Sequence, residues 1–215
     1  MASAQSTPSN RRLTAKGAAT RERIVSTASD LMYAQGVERT SLDDVVEASG
    51  TGRSQLYHYF ADKNELIGEV VNTQIDRVIA TQEPLLERLD SMRGFERWRN
   101  AVVAGNRSRR GMHGCPLGSL ASELADHSER ARETLATGFD VWESLFVDGL
   151  RRMQENGELG MDADPAALAK GLMAALQGGL LLAQVKRDAE CLAVALDMAL
   201  AQIRTHTERV TARRR

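Results

Sequence analysis

Apolar positions early in the chain recur at the spacing of short helices. Between residues 42 and 49, apolar or small side chains fall at i, i+3, i+4 and i+7, which is the period of one buried helical face. They are Leu42, Val45, Val46 and Ser49. Ser41 stands immediately before them, where serine often serves as a helix N-cap. The pattern predicts a short amphipathic helix that begins after Ser41.

A second short helix is predicted from Arg53 to Phe60, after a turn that contains two glycines. Gly50 and Gly52 can supply the positive φ angles that a tight turn between helices needs. At about 100° per residue, Leu56 and Phe60 share the inward face of this helix. Polar and aromatic side chains occupy the rest: Arg53, Ser54, Gln55, Tyr57, His58 and Tyr59. Two helices joined in this way form a helix-turn-helix, whose second helix fits the DNA major groove.

The apolar spacing continues along a long helix from Lys63 towards Pro84, where proline is expected to break or kink it. At 1.5 Å per residue this helix spans roughly 30 Å. Five further helices are predicted: Phe95 to Arg109, Leu117 to Ala125, Ser128 to Asn156, Pro165 to Val185 and Ala189 to Val210. Because few stretches favour strands, the chain is predicted to be all-α.

Charge is distributed unevenly along the chain. The net charge of −1 over 215 residues does not indicate nonspecific coating of nucleic acid. The first 23 residues, however, contain one acidic residue, Glu22, and five basic residues: Arg11, Arg12, Lys16, Arg21 and Arg23. Such a basic arm can add phosphate or minor-groove contacts and make DNA affinity salt-dependent. Arg213 to Arg215 are interpreted as a solvated tail rather than a second DNA site.

The cysteines and the apolar runs indicate a soluble cytoplasmic protein without a membrane partner. Cys115 and Cys191 lie far apart in sequence, and residues 1–10 contain no apolar signal-peptide core. The longest apolar run, Gly171 to Ala183, is interrupted by Gln177 and is expected to be too short to span a bilayer. His113 lies near Cys115, but no further pair stands at metal-ligand spacing, so neither a metal nor a cofactor is expected.

The chain resembles the TetR family of bacterial transcriptional regulators over residues 18–68. The matching residues are Ile24, Ala28, Leu31 and Gly36-Val37, then Thr40-Ser41, Val45-Val46, Gly50, Leu56 to Phe60, Lys63 and Leu66. One departure is Thr51-Gly52, where the family usually has an apolar residue followed by serine or alanine. Glycine is a modest N-cap, so the recognition helix is expected to begin less firmly.

The resemblance implies roles for individual residues in DNA binding. Ser41 and Lys63 would bind phosphates from helix starts, where unpaired N–H groups and the helix dipole favour anions. Tyr57 and Tyr59 would bind phosphates from the recognition helix. The base-reading residues would then be Arg53, Ser54, Gln55 and His58.

The resemblance also implies a homodimer that forms through the last two helices. Gly178 and Gly179 interrupt an apolar helix, and because glycine costs about 1 kcal/mol there against alanine, the pair indicates a closely packed neighbouring helix. The following helix carries an apolar stripe: Leu192, Leu196, Leu200 and Ile203. Two recognition helices about 34 Å apart would read a palindrome. The alternative is that both helices are buried within one subunit.

Large and adaptable apolar side chains are concentrated in the middle helices and indicate an effector pocket. They are Phe95, Trp98, Met112, Phe139, Trp142, Phe146, Met153 and Met173. Aromatic and methionine walls with a few polar groups suit a small apolar or aromatic molecule. Gln177 and Glu143 are candidate polar anchors. The alternative is that these residues form an ordinary core.

Residues 113–124 resemble a Gly-Cys-Pro-x-Gly-x-Leu-Ala-x-Glu element of one subset of TetR C-terminal domains. Pro116 would occupy the first position of a helix and place Cys115 at its positive end, which can stabilise a thiolate. Cys115 is therefore a candidate redox or electrophile sensor, and alternatively a small buried packing residue.

The combined hypothesis is a ligand-responsive DNA-binding regulator, a repressor released from a palindromic operator by a small apolar or aromatic effector. We expect a disordered basic arm over residues 1–17, a helix-turn-helix head over 18–62, a ligand-binding and dimerisation domain over 63–210, and a basic tail over 211–215. An enzyme is disfavoured, because the sequence contains no phosphate loop, metal cluster or recognisable nucleophile arrangement. A helical interaction module without DNA binding is a further alternative, which only Thr51 and Gly52 favour.

Overall fold

The structure is a computed structural model that describes residues 14–213, with side chains described as far as Thr207. Within these residues the chain forms nine helices and no strand, which confirms the all-α prediction. The helices are α1 Ala15–Gln35, α2 Leu42–Ser49, α3 Arg53–Tyr59, α4 Lys63–Leu86, α5 Met92–Ser108, α6 Pro116–Leu124, α7 Glu129–Glu155, α8 Pro165–Lys186 and α9 Glu190–Arg213. Arg11, Arg12, Arg214 and Arg215 lie outside the described residues.

Side chains in the preceding loops fix where many of these helices begin. Ser91 and Ser128 each accept a hydrogen bond from a backbone N–H in the first turn of α5 and α7. Asp164 accepts two such bonds at the start of α8. Pro116 and Pro165 occupy first helical positions, where proline forfeits no helical hydrogen bond. The predicted starts of α6 and α8 therefore agree with the structure to within one residue.

The chain divides into two compact units, Met1–Val70 and Val71–Arg215. In the first unit, α1, α2, α3 and the first turns of α4 surround a small apolar core. Its fully buried members are Ile24, Ala28, Val45, Leu56 and Leu66, with Phe60 and Met32 almost as buried. Phe60 ends α3 in an extended conformation and keeps its ring in this core. We call this unit the head.

The second unit, which we call the body, contains the rest of α4 and helices α5 to α9. Its core is rich in aromatic side chains, of which Phe95, Trp98 and Phe146 are fully buried. α8 packs against both α7 and α9. At Gly179 the two last helices come so close that a Cβ atom there would lie 2.9 Å from the Leu192 Cα.

Both α4 and α8 lie where the sequence predicts them, but the structure refines the expected end of α4 and contradicts the expectation that α8 is too short to span a bilayer. α4 passes Pro84 and ends at Leu86, and the helical hydrogen bond from Glu87 N to Glu83 O, at 3.0 Å, is still formed. α8 has 22 residues, so by length and composition alone it could span a bilayer. The apolar run from Gly171 to Ala183, on which the opposite expectation was based, is only part of this helix. Ala169, Leu172 and Leu176 on α8 are buried within the body, as in a core helix of a soluble protein.

Candidate nucleic-acid interface and interior of the body

The start of α2 is held by a reciprocal pair of hydrogen bonds. Asp44 N donates to Ser41 Oγ at 3.1 Å, and Ser41 N donates to Asp44 Oδ2 at 2.8 Å. Hydrogen bonds that the Ser41 N–H and the Ser41 hydroxyl donate to the Asp44 carboxylate, together with the charge of Lys63, lower the pKa of Asp44. The Ser41 hydroxyl is thus engaged with Asp44 within the head, both as the cap of α2 and as a donor to the carboxylate.

The turn between α2 and α3 uses its two glycines differently. Gly50 has φ +62°, in the left-handed region that favours glycine. Gly52 has φ −76°, so the prediction of a positive φ there was wrong. Thr51 is buried, and its hydroxyl lies 2.7 Å from Ser49 Oγ. The departure from the family pattern at Thr51 is thus accommodated by an internal hydrogen bond.

Gln55 supports the start of α3 in place of a side-chain cap from Gly52. Its Oε1 accepts a hydrogen bond from Gly52 N at 3.3 Å, which satisfies a backbone donor just before the helix. The expectation of a weak helix start was based on Gly52 alone, which has no side chain to cap the helix. Gln55 is nevertheless exposed, so its amide N–H groups still face solvent.

The outward face of α3 carries the side chains that the sequence assigns to DNA recognition. Leu56 and Phe60 are buried, as predicted. The exposed residues are Arg53, Ser54, Gln55, Tyr57 and His58, with Tyr59 half-buried. The rings of His58 and Tyr59 meet edge to face with centroids 5.1 Å apart. The structure therefore brings six of the eight predicted DNA-contacting residues together on one short helix.

Arg53 is paired within the head. Its Nη2 donates to Asp43 Oδ1 on α2, and both side chains are about two-thirds exposed. Exposed ion pairs contribute little to stability, so this one can be exchanged for a contact with DNA. Sequence reasoning missed Asp43, although it lies ten residues before Arg53 on the outer face of the preceding helix.

Lys63 anchors the start of α4 to the loop after α1. Its Nζ donates to Val37 O at 2.7 Å and approaches Glu38 O at 3.4 Å. The side chain is half-buried, so Lys63 also has a structural role within the head, beside the phosphate contact that the resemblance implies. An ammonium group has three donors, which leaves one for another acceptor.

Two cations of the predicted basic arm also hold the head together. Arg21 pairs with Glu69 at 2.8 Å, and its guanidinium carbon lies 5.3 Å from the centre of the Phe60 ring. Arg23 Nε donates to Ser49 O at 3.1 Å. Lys16 is exposed at the start of α1. Of the arm residues that the structure describes, Lys16 and Arg23 are exposed and Arg21 is half-buried.

The aromatic residues predicted for an effector pocket lie mostly inside the body. Trp98 and Phe146 meet edge to face with centroids 4.9 Å apart, and Trp98 Nε1 donates to Gln82 Oε1 on α4 at 2.9 Å. Trp142 and Met173 are buried, and Phe139 is half-buried. The core of the body therefore contacts α4 directly through Trp98.

Met112 does not belong to this interior. Gly111 and Gly114 adopt positive φ angles of 70° and 49°, so the chain between them forms a tight surface turn. That turn leaves Met112 38% exposed. The prediction that Met112 lines the pocket is corrected, because spacing along the sequence could not show which way the loop would face.

Cys115 lies in a small polar cluster between α6 and α8. It precedes α6 directly, and Pro116 takes the first helical position, as predicted. Burial raises the pKa of the Cys115 thiol, although hydrogen bonds from the amides of Gly118 and Leu117 and from Gln177 partly oppose this. Gln177 Nε2 also lies 3.7 Å from Met173 Sδ. Burial outweighs these hydrogen bonds, so the thiol form is favoured.

The apolar stripe of α9 faces the interior of its own subunit. Leu192 and Leu196 are fully buried, and Leu200 is 2% exposed. Together with Gly179, which packs against Leu192, they belong to the core, and their assignment to a dimer interface is corrected. Periodicity identified a buried face but could not say which helix buries it. Gly178, by contrast, is exposed and has no heavy atom within 4 Å of a built Cβ position.

A different set of apolar side chains is exposed on these two helices. Its members on α8 and α9 are Leu181, Leu182, Val185, Val194 and Met198, between 48% and 74% exposed. We call this set the α8–α9 outer face. Among residues 14–213, no group of three or more His, Cys, Asp or Glu side chains is placed to hold a metal ion.

A helix-turn-helix head followed by a separate helical body defines a class of DNA-binding transcriptional regulators, and comparison with known proteins agrees. Residues 24–70 match the family model described as bacterial regulatory proteins, tetR family. Residues 85–199 match the tetracyclin repressor-like C-terminal domain. The chain belongs to the TetR family of helix-turn-helix transcriptional regulators, whose members are typically ligand-responsive repressors.

Individual relatives extend over most of the chain. The HTH-type transcriptional regulator YxaF of Bacillus subtilis is 30% identical over 78% of this chain and 86% of its own length. The HTH-type transcriptional repressor DhaR of Mycobacterium sp. is 25% identical over 89% of this chain and 96% of its own length.

Solved structures show the same fold. A TetR-family regulator from Cytophaga hutchinsonii superposes with a TM-score of 0.78 at 18% identity, covering 90% of this chain and 98% of the other. The reduced form of Escherichia coli NemR superposes with a TM-score of 0.69 at 26% identity, covering 84% and 95%.

Proposed function

We propose that this chain is a cytoplasmic homodimeric repressor that binds a palindromic operator and is released when a small apolar or aromatic effector binds the body. The observation that supports DNA recognition most directly is the outward face of α3, where Arg53, Gln55 and His58 stand exposed above a buried Leu56. Arginine and glutamine can bind base edges in a bidentate manner, which gives them sequence specificity.

Phosphate contacts would orient α3 in the groove. Ser41 and Lys63 lie at the starts of α2 and α4, where helix N-termini favour anions. The Lys63 ammonium keeps one donor beyond its two bonds within the head. Tyr57 is 51% exposed, and Tyr59 stands at the edge of the same face. We assign these four residues to phosphates, and Arg53, Ser54, Gln55 and His58 to bases.

Operator binding is tested with purified protein and the DNA upstream of its own coding sequence. We expect a Kd in the range of about 10⁻⁸–10⁻¹¹ M at physiological salt and weaker binding as salt rises. The double variant Gln55→Ala, His58→Ala should lose the preference for this DNA over random sequence. His127→Ala, at an exposed histidine just before α7, is the matched control. If wild-type protein shows no preference for any upstream fragment at low salt, operator recognition by this face is refuted.

A homodimer is supported by the α8–α9 outer face. Five large apolar side chains on two adjacent helices form a patch that a soluble monomer would rarely expose to water. Small residues along α8, including Gly171, Ala174 and Gly178, are exposed beside it and permit close approach of another helix. We propose that two copies of the chain bury these faces against each other, which spaces two α3 helices for a palindrome.

Release by an effector would act through α4. This helix is continuous from Lys63 to Leu86, and Gln82 near its end accepts the hydrogen bond of Trp98. An effector that moves Trp98 would therefore change how the end of α4 is held. It would release DNA only if it binds more tightly to the conformer in which the α3 helices are misplaced.

The alternatives receive less support. The buried Cys115, with its raised pKa, fits a packing residue better than a redox or electrophile sensor. The Thr51-Gly52 departure, which favoured an interaction module without DNA binding, is accommodated by bonds from Ser49 and Gln55. The relatives are transcriptional regulators, and we propose that this chain likewise has no catalytic activity.

A further inference from the structure

Six buried side-chain polar atoms of the body have no hydrogen-bond partner among the described residues. Arg99 Nε, Arg152 Nε and His206 Nδ1 belong to half-buried residues, whereas the other three atoms belong to two buried residues, Asn106 and Trp142. Asn106 on α5 is 0% exposed, and neither Nδ2 nor Oδ1 of its amide is paired. Trp142 on α7 is 2% exposed, and its Nε1–H is likewise unpaired. Such groups destabilise a fold, because they lose their hydrogen bonds to water without replacement. An unpaired buried polar group therefore suggests a functional role.

The relation of α5 to α7 places these two residues in neighbouring layers of the body. The helices run antiparallel, since Asn156 after α7 donates to Asp90 O before α5 at 2.7 Å. The contact between Trp98 and Phe146 sets their register.

On α5, Asn106 lies eight residues after Trp98, and on α7, Trp142 lies four residues before Phe146. Because the two helices run antiparallel, both residues are displaced from the aromatic pair in the same direction. With a rise of 1.5 Å per residue, Asn106 and Trp142 differ in height by about 6 Å. Both side chains are buried, so they occupy neighbouring layers of the same interior.

α8 closes this interior on a further side. Gly111 N donates to Asn106 O at 3.0 Å, and a Cβ atom on Gly111 would lie 2.5 Å from Ala183 O. Asn106 therefore lies at the height of Ala183. Gln177 lies six residues before Ala183 on α8, which is about 9 Å along the helix axis towards the level of Trp98. The two unpaired groups thus lie on α5 and α7 at neighbouring heights, between the level of the aromatic pair and the level of Ala183 on α8.

We propose that Asn106 and Trp142 are the polar anchors of the effector site, and that the effector is a compact neutral molecule with an amide or lactam group on an apolar body. The inference rests on the proposed function of the body as an effector-binding domain. An asparagine amide presents an acceptor and a donor side by side, which another amide complements with two hydrogen bonds. The Trp142 indole only donates, so it requires an additional acceptor. Neither anchor carries charge, so an ionic effector would lose its hydration without a counter-charge from them.

The first test uses the protein without any added ligand. Leucine resembles asparagine in size and has no polar atoms, so Asn106→Leu should raise the Tm by roughly 3–10 °C. Asn100→Leu, on the exposed side of the same helix, is the matched control and should leave the Tm nearly unchanged. A fall in the Tm of Asn106→Leu would show that Asn106 holds the fold together, and would overturn the proposal.

The second test measures ligand class by calorimetry with benzamide and its hydrocarbon isostere isopropylbenzene. We expect the wild-type protein to bind benzamide about tenfold more tightly or better, and Asn106→Leu to lose this preference. Equal affinities, undetectable benzamide binding, or a preference that survives in Asn106→Leu would each overturn the proposal. Operator binding is measured separately on both proteins. If the wild-type protein fails to bind DNA, the proposed function as a repressor is refuted. The Tm and ligand-affinity results for Asn106→Leu would still test the proposed ligand site independently.

Discussion

Arg53 forms an exposed ion pair with Asp43, which it would have to exchange for a base contact in the proposed DNA complex. Arg53→Ala should reduce affinity for the preferred DNA by about 1–3 kcal/mol and relax specificity at one base pair. Asp43→Ala should instead tighten binding to all sequences, because it frees Arg53 and removes a negative charge near the phosphates. Fluorescence anisotropy over a panel of single-base DNA variants distinguishes these effects. If Arg53→Ala weakened every sequence equally, Arg53 would be a phosphate contact.

The two thiols should differ sharply in reactivity. Cys115 is buried with a raised pKa, whereas Cys191 is half-buried on α9. Because the thiolate is the reactive species, iodoacetamide at neutral pH should modify Cys191 at least about tenfold faster than Cys115. The single-thiol variants Cys115→Ser and Cys191→Ser allow each rate to be followed by mass spectrometry, with denatured protein as the reference. Rapid alkylation of native Cys115 would restore the sensor hypothesis.

The sequence predicted which residues of α3 face outwards, because helical periodicity alone separates Leu56 and Phe60 from Arg53 and His58. It could not predict the bond from Lys63 to Val37 O, since these residues are 26 positions apart and only the tertiary fold brings them together. The unpaired amide of Asn106 was missed for the same reason. A polar residue near a helix end looks solvent-exposed until the neighbouring helices are in place.

The adjacent glycines of α8 should respond oppositely to the same substitution. A Cβ atom on Gly179 would lie 2.9 Å from the backbone Cα of Leu192, so Gly179→Ala must push α8 away from α9. A Cβ atom on Gly178 meets no heavy atom within 4 Å, and alanine is the better helix former by about 1 kcal/mol. Thermal unfolding should therefore show a lower Tm for Gly179→Ala and an unchanged or higher one for Gly178→Ala. Equal Tm values would contradict the close α8–α9 contact.

The start of α2 should depend on pH through Asp44. Its pKa is lowered in the folded protein, and the unfolded carboxyl titrates near 3.8. The ionised group therefore stabilises the head fully above about pH 5, and this contribution is lost as pH falls through the lowered pKa. Asp44→Asn should unfold at a lower Tm than wild type at pH 7, and the difference should shrink below pH 4. A difference that stayed constant with pH would point to lost packing.

The positions of the helices were largely predictable, because residues close in sequence mark where each helix begins and ends. Pro116 and Pro165 mark helix starts, and the break from Gly157 to Asp164 separates α7 from α8 as expected. The partner of each helix was not predictable. The stripe of Leu192, Leu196 and Leu200 fits a dimer interface and a subunit core equally well, and the fold places it in the core.

Assembly of the whole molecule should depend on the α8–α9 outer face. Leu181→Glu and Met198→Glu place charges at positions 60% and 71% exposed, so they should leave the subunit folded but oppose burial against a second copy. We expect sedimentation to show a shift from dimer to monomer, with weaker operator binding because a single head contacts one half-site. Met161→Glu, at a loop methionine 79% exposed, adds the same charge elsewhere and should remain dimeric. If both outer-face variants sediment as the wild type does, the two copies associate through another surface, and the spacing of the α3 helices is set there.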